Sequence, residues 1–527
     1  MKRIVSLVLA LAMVLSLCIF TTASADDGFV DGKFTKTRHI TVEVYNRYND
    51  GGSDPTSSVY AQYIKQGMLD KYNVDVELVS VGRWTEVDDL NNLLATGDAP
   101  DVCPTIQTFA GMGGIIDLNP LLTEYKDLLP DLWALLGDYN IYYDQDPETG
   151  SVWAIEAVLA ESARINTFIR KDWLGLALPT TEAEFHDCLV AFRDNAELLL
   201  GADAAKMVPF SISTDIGWRA DLLNVSKVPE DVSDETLYVY GYDDRHLLYP
   251  NYKEGIRVLN QWYNEGLIWK DFALYTDASV EDDMMKSGFV GAFIHNWDYP
   301  YRNGEDSIQA NLTRANGADA GFIAVDCFQN DAGITRKYLA DRIDRKVFFP
   351  ATNDEPLASL LYLNFISSEE TIKFLQTGKE GVTYKMTDNG AYEMLNATGE
   401  WIMNSGMNID HTITVNGLYL GDATAATKAL SYPGVNPDFI ITANTYGKLN
   451  GRIVKKFSCG AISAEEDVGT SLNSKRDAML TQAVVAPVDQ FDSVYDKGMA
   501  DYLASGGQNI IDERREKLEA IYGVHVD

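Results

Sequence analysis

A chain of 527 residues exceeds what one simple core can organise and implies two lobes or domains. Hydrophobic residues make up 46% of it, which excludes global disorder, and 43 basic against 78 acidic residues leave a formal charge of −35. Such a field repels nucleic acid and anionic lipid and argues against polyanion binding; an acidic surface that keeps an exported protein in solution needs no charged ligand.

The chain opens on an export signal. Lys2 and Arg3 form a basic start, residues 4–20 an apolar run, and Ala23-Ser24-Ala25 a cleavage site before Asp26, so residues 1–25 read as a signal peptide. Leu15-Ser16-Leu17-Cys18 approaches a bacterial lipobox but puts Leu17 where that motif takes a small residue. Release by ordinary signal peptidase is therefore expected over lipid anchoring through Cys18. No later segment is apolar enough to span a bilayer, and the mature protein is expected outside the cell or in its envelope (the periplasm, if there is an outer membrane). Cys103, Cys188, Cys327 and Cys459 are scattered, form no C-x-x-C pair, and read as small buried apolar residues.

Residues 26–37 are polar and read as a flexible tether. Next, Ile40, Val42 and Val44 alternate with Thr41 and Glu43, the period of a strand. Asp54-Pro55-Thr56-Ser57 starts a helix whose apolar stripe is Val59, Tyr63, Ile64 and Met68, and Val74, Val76 and Leu78 give a second strand. Strand, helix and strand at this spacing imply a parallel sheet with a right-handed crossover, hence an α/β fold. A helix over 84–96 closes at Gly97. Residues 141–156 read as a hairpin around the turn 144–150, and helices are expected at 182–195, 252–265, 356–365, 369–377 and 509–521. No repeat or low-complexity linker separates the lobes, so several short crossings are expected to join them.

Several ordered motifs then carry a resemblance: Gly97-Asp98-Ala99-Pro100-Asp101-Val102, Ile116-Asp117-Leu118, Phe168-Ile169-Arg170-Lys171-Asp172-Trp173-Leu174 with Pro179-Thr180-Thr181, Lys286-Ser287-Gly288 with Asn296-Trp297, and Phe365-Ile366-Ser367-Ser368-Glu369-Glu370 followed by Gly381-Val382-Thr383-Tyr384. In this order the chain resembles the family 1 extracellular solute-binding proteins, the maltose-binding-protein-like sugar receptors of ABC importers, in their long Gram-positive branch. The resemblance implies a two-lobed fold of the periplasmic-binding-protein type II kind, with ligand in the cleft and several hinge crossings. Lobe 1 is expected over 38–158 plus about 318–378, and lobe 2 over 159–317 plus about 379–527. The aspartates of the 97–102 turn read as caps of backbone amides, with at most one reaching ligand.

A sugar cleft needs flat aromatic platforms and planar hydrogen-bonding groups. The resemblance places Trp297, after the strand-like 290–294, at the position of a sugar-stacking tryptophan; a core role is the alternative. Its neighbours Asn296 and Asp298 read ring hydroxyls or cap a turn. Trp218 occupies the second aromatic position, with Asp215 and Arg219 beside it as contacts or as solvated loop charges. Tyr45 and Asn46 end the first strand at the cleft, and Trp401 is a further candidate. Glu161 and Arg164, where the chain passes between lobes, read first as a hinge ion pair. Trp153, Trp173, Trp262 and Trp269 read as core.

No metal and no cofactor is expected. Some relatives carry a calcium loop that residues 193–201 do not match, and Asp144, Asp146 and Glu148 suit a solvated turn better than a cation loop. No G-x-S-x-G elbow, H-E-x-x-H helix, P-loop or nucleotide fingerprint occurs. The expectation is a non-enzymatic, monomeric receptor that captures a carbohydrate, an oligosaccharide for preference, and delivers it to an ABC transporter permease. A binder of peptides or another solute is the first alternative, an extracellular glycan-cleaving enzyme the second.

Overall fold

The computed structural model describes residues 28–46, 54–83, 85–105, 114–175, 177–274, 278–302, 306–386, 392–395, 397–403, 408–419, 435–460 and 462–526. The expected signal peptide and Cys18 lie outside them. Residues 28–37 do not form a tether. Strand β1 (Phe29–Val30) pairs antiparallel with β2 (Lys33–Phe34). Phe34 is only 3% exposed, and Lys33 Nζ and Thr37 Oγ1 bond Asp70 O and Asn73 Oδ1 at the end of the helix Val59–Tyr72. One well-placed aromatic anchors a segment whose composition is otherwise polar.

The predicted strand–helix–strand unit is present. β3 (Arg38–Asn46) and β4 (Val74–Gly82) run parallel through nine residue pairs. The connecting helix is capped by Ser58, whose side chain accepts from Ala61 N, and closes on Asn73 in the left-handed conformation. Gly97, φ 77°, ends the helix Glu86–Thr96 in the same way. β5 (Cys103–Thr105) follows, its lead-in Val102 bridged in parallel to Val42 of β3. The expected hairpin over 141–156 shrinks to a single bridge, Gln145 to Val152, because Ile141 is taken by the helix Pro130–Ile141. Asp146 closes the turn by accepting from Glu148 N and Thr149 N.

β6 (Ile155–Leu159) delivers the chain to the second lobe. There β7 (Ile165–Arg170), β8 (Val208–Ser211), β9 (Val290–Asn296) and β10 (Phe322–Val325) form a sheet in the order β10-β7-β9-β8. β11 (Lys337–Leu339) leads back to β12 (Ile343–Phe348), which lies antiparallel to both β5 and β6. After a hairpin of β13 (Tyr384–Met386) and β14 (Tyr392–Met394), β15 (Val415–Asn416) joins β6 in parallel. β16 (Gly451–Ile453) pairs with β11, and the helices Ser463–Val485, Phe491–Tyr502 and Gln508–Tyr522 complete lobe 2.

Both expected lobe boundaries shift. β10 pairs with β7, so the chain returns to lobe 1 only after β11, some twenty residues later than about 318. Ile413 and Val415 belong to the first core, against which Trp401 and Met403 pack, so these residues stay with lobe 1 instead of opening lobe 2 at about 379. Strand partners this distant in sequence leave no local signal. The first core also holds the helix Pro356–Ile366, buried from Leu357 to Ile366, which explains its uniformly apolar pattern.

The registers fix which strand ends face the crossings. β7 starts there, and its pairing of Ile165 with Asn296 and of Thr167 with Val325 puts the C-terminal ends of β9 and β10 at that side; β8, parallel to β9, ends there too. In lobe 1, Val158 pairs with Ile343 and Lys346 with Thr105, so β3, β4, β5 and β6 also end toward the crossings. The loops after these strands are therefore presented between the lobes.

One buried group carries a consequence for stability. Glu43 is fully buried on β3, with Glu86, Asp89 and the Cys103 thiol around its carboxyl and no cation paired with it among the described residues. Burial, then the Glu86 charge, push its carboxyl well above the usual carboxylate range. The folded state thus holds a proton that the unfolded chain releases above its ordinary pKa near 4.5, so this group lowers stability as pH rises through that interval. Glu43→Gln is expected to melt higher than the wild type at pH 8, by about 2–4 °C per kcal/mol regained in a lobe of this size, with the gap closing toward pH 4.5; thermal unfolding across pH checks it.

Candidate functional site

The wall that lobe 2 turns toward the crossings is built from the loops after β8 and β9 and from the segment Asp243-Asp244-Arg245-His246. Asp215 caps the short helix Ile216–Arg219, its side chain accepting from Trp218 N. Trp218 is half-buried, and its Nε1 donates to Asn296 Oδ1 at 2.7 Å. Two guanidinium groups, those of Arg164 and Arg245, each lie 4.7 Å from its ring centroid. Arg245 binds Asp215 in a fork, Nε at 2.9 Å and Nη2 at 2.7 Å. Arg164 donates to Asp221 Oδ1 at 3.0 Å and to Asp244 O at 2.5 Å. His246 Nδ1 meets the same Asp221 oxygen at 2.9 Å. Burial by itself would raise the Asp221 carboxyl, but Arg164 and His246 outweigh it and bring the pKa down to about 2.

Arg219 turns away from this wall. It is buried, paired with Glu281, and donates to Ile294 O at 3.0 Å, while Glu281 also accepts from Ser211 Oγ at 2.7 Å. It ties β8 to β9 instead of facing a ligand. Asn296 holds Trp218, and its main-chain N–H donates to His295 Nδ1 at 2.7 Å. Burial pushes His295 well below the usual imidazole range, and its neutral ring stacks on Tyr299 at 3.4 Å. Asp298 is buried and pairs with Arg302 at 2.6 Å. Trp297, 8% exposed, packs into a core with Ala163, Phe293 and Ala443, and Asn166 Nδ2 donates to its carbonyl at 3.1 Å.

Lobe 1 places Tyr45 and Asn46 at the end of β3. The Tyr45 ring is 1% exposed, donates from its hydroxyl to Pro104 O at 3.1 Å, and is flanked by Arg83 and Arg345 at 5.0 and 5.7 Å. Its faces are occupied by protein. Asn46 is half-buried, its carbonyl accepting from Arg83 N. Trp401 packs edge-on against Tyr60 at the start of the helix Val59–Tyr72, with its carbonyl accepting from the Tyr60 hydroxyl. Glu161 and Arg164 do not pair with each other: Glu161 pairs with Lys448 at 2.9 Å and Arg164 with Asp221 within lobe 2 at 3.0 Å.

Thus Asp215, Trp218 and Asn296 come together, Arg219, Trp297 and Asp298 lie behind or beside them, and Tyr45, Asn46 and Trp401 belong to the other lobe. Asp244, Arg245 and His246, in a loop, and Asp221, buried at the start of the helix Asp221–Ser226, are not among the sequence candidates, because charged residues read from sequence as solvated. All four cysteines of the described residues are free. Among the described residues no group of three or more His, Cys, Asp or Glu is placed to hold a metal, and no helix is long and apolar enough to cross a membrane.

The two tryptophans are expected to respond oppositely to substitution. Trp297→Ala, which empties a core site, should cost about 3–5 kcal/mol of stability. Trp218→Phe should leave the melting temperature within a few degrees while removing the bond to Asn296. Thermal unfolding of the two variants side by side checks this.

No family model matches the chain. It is 23% identical over 341 residues to the lipoprotein LipO of Bacillus subtilis (strain 168), and the match covers 61% of this chain and 64% of that relative, under two thirds of its length. Among solved structures, the extracellular solute-binding protein from Bifidobacterium longum subsp. infantis aligns with a TM-score of 0.63 at 16% identity, over 91% of this chain and 98% of that one. An HMO-binding, ABC-transporter-associated solute-binding protein from Bifidobacterium longum infantis gives 0.65 at 16% identity, over 92% and 99%. The S. pneumoniae ABC-transporter substrate-binding protein FusA, an EF-hand mutant in complex with fructo-nystose, gives 0.62 at 13% identity, over 92% and 100%. At such identities the likeness is one of fold, and it runs through both lobes: this chain has the two-lobed α/β fold of the extracellular solute-binding proteins of ABC importers.

Proposed function

We propose that this protein is a non-enzymatic receptor, exported from the cell, that captures an oligosaccharide between its lobes and hands it to the membrane permease of an ABC importer. The observation that carries this reading is the facing of strand ends. Both sheets end toward the crossings, and lobe 2 fills that end with Trp218, Asn296, Asp215, Asp244 and Arg245, an aromatic ring framed by planar hydrogen-bonding groups. Such a set of planar donors and acceptors suits a ligand with many hydroxyls. The neighbours named for HMO binding and for a fructo-nystose complex support the same class. Ligand should close the lobes and, as a monomer, the closed form should dock on the permease.

A thermal-shift panel of kestose, nystose, chitotetraose, trigalacturonate, monosaccharides and short peptides tests this. A bound oligosaccharide at a hundred times its Kd should add about 2.7 kcal/mol to the stability of the folded state and raise the melting temperature accordingly. A response to peptides and to no sugar would replace the substrate class, and turnover of a glycan by the purified protein would overturn the receptor reading.

A further inference from the structure

We propose that Asp244 and Arg245 read the ligand directly, and that the group they recognise is a vicinal diol of a neutral sugar. This rests on the oligosaccharide-receptor reading above and narrows it.

The segment is built, not loose. Asp243 anchors it through a buried pair with Arg476 of the helix Ser463–Val485, at 2.7 Å, and accepts from Arg245 N at 2.8 Å. His246, in the left-handed conformation with φ 59°, turns the chain back so that its ring bonds Asp221. Between these anchors the side chains of Asp244 and Arg245 are 69% and 20% exposed at the crossing end of lobe 2. Arg164 reinforces the arrangement by bonding Asp244 O and lying over the same Trp218 ring as Arg245. With two guanidinium groups against it, Trp218 is not a bare stacking platform, and recognition falls to the polar edge around it.

A donor and acceptor inventory defines what that edge accepts. Arg245 has five N–H groups. Nε and one hydrogen of Nη2 go to Asp215, and one hydrogen of Nη1 goes to Asp244. That leaves one N–H on each terminal nitrogen. Asp244 uses Oδ2 for Arg245, and its Oδ1 has no hydrogen bond to the described residues. Two remaining donors on adjacent nitrogens, with a carboxylate acceptor next to them, match adjacent hydroxyls, each of which accepts from one N–H or donates to the carboxylate. Charge excludes the acidic alternative. Asp215, Asp221 and Asp244 outnumber Arg164 and Arg245 at this wall, in a chain of net charge −35, so a uronate would meet an excess of negative charge.

Calorimetric titration of the full-length mature protein with kestose, chitotetraose and trigalacturonate, at low and high salt, tests the proposal in wild type, Asp244→Ala and Arg245→Lys. The exposed Asp244 side chain can be removed without disturbing the fold, which unliganded thermal unfolding verifies, so a folding failure of Arg245→Lys would not decide the matter. The expected result is binding of a neutral oligosaccharide, weakly dependent on salt, that falls at least tenfold in each variant. If a neutral sugar binds the wild type and both variants equally, the assignment of Asp244 and Arg245 is wrong while the receptor reading stands. Salt-sensitive binding of trigalacturonate in preference to the neutral sugars overturns the ligand class. No binding of any saccharide defeats the receptor reading and this inference with it.

Discussion

The arrangement depends on a short antiparallel ladder between two crossings. Leu159 N donates to Arg342 O at 2.9 Å and Ala340 N to Ser162 O at 3.0 Å, so the outgoing and returning strands are bonded as they leave one sheet for the other. Ala160 N adds a bond to Asn416 O at 2.8 Å, which brings the segment after β15 to the same place. Asn140, buried at the end of its helix, locks the lobe 1 side by donating to Glu156 O, Ala157 O and Arg342 O. Strands joined this way cannot swing separately. The motion left to the lobes is a bend about the ladder, which moves the two facing sets of loops toward or away from each other.

That restriction makes the loops after β8 and β9 useful. Their side chains are held by charge pairs that contribute more to geometry than to stability, since burying two charges costs about what their attraction returns. Arg219 with Glu281 is a pair of this kind, buried on both sides. What it supplies is a fixed wall, so that ligand binding spends little on ordering side chains.

The parts legible in the sequence were those whose cause is local. The periodicities of Ile40–Val42–Val44 and of Val59–Tyr63–Ile64 gave a strand and a helix because the alternation and the 3.6 repeat report burial directly. Gly97 marked a helix end because a left-handed position takes glycine, whereas the helix expected to start at Asp54-Pro55-Thr56-Ser57 begins just beyond it, at Val59 after the cap Ser58. The crossings were misplaced because the pairing of β10 with β7 links segments about 150 residues apart in sequence, which no window reveals. Asn296 and Trp297 show the finest distinction. Adjacent residues at a strand end point to opposite faces, so Asn296 reaches Trp218 on the wall while Trp297 enters the core, and composition cannot say which is which. The Asp243–His246 segment was invisible for a similar reason, since its partners Asp215, Asp221, Arg164 and Arg476 are scattered over three hundred residues.

The motifs that carried the resemblance turn out to serve the backbone. Asp101 Oδ2 accepts from Thr41 N at 2.7 Å and Thr41 Oγ1 at 2.8 Å, which binds the lead-in of β5 to β3 and leaves that oxygen committed. Arg170, from one motif, is buried and donates from Nη1 to the carbonyl of Gly288, from another, at 2.8 Å, while its own neighbour Asp172 holds its other nitrogens. Gly288 sits at φ 85° with Asn316 against the place a Cβ would take, so no other residue closes that turn without strain. Two segments over a hundred residues apart are thus recognisable in sequence because they meet in space and solve one backbone problem. A chemistry-bearing loop answers to a ligand and obeys no such constraint. Sequence patterns of this kind therefore report the frame with more certainty than the cargo, and the cargo has to be argued from side-chain donors and acceptors at the facing strand ends.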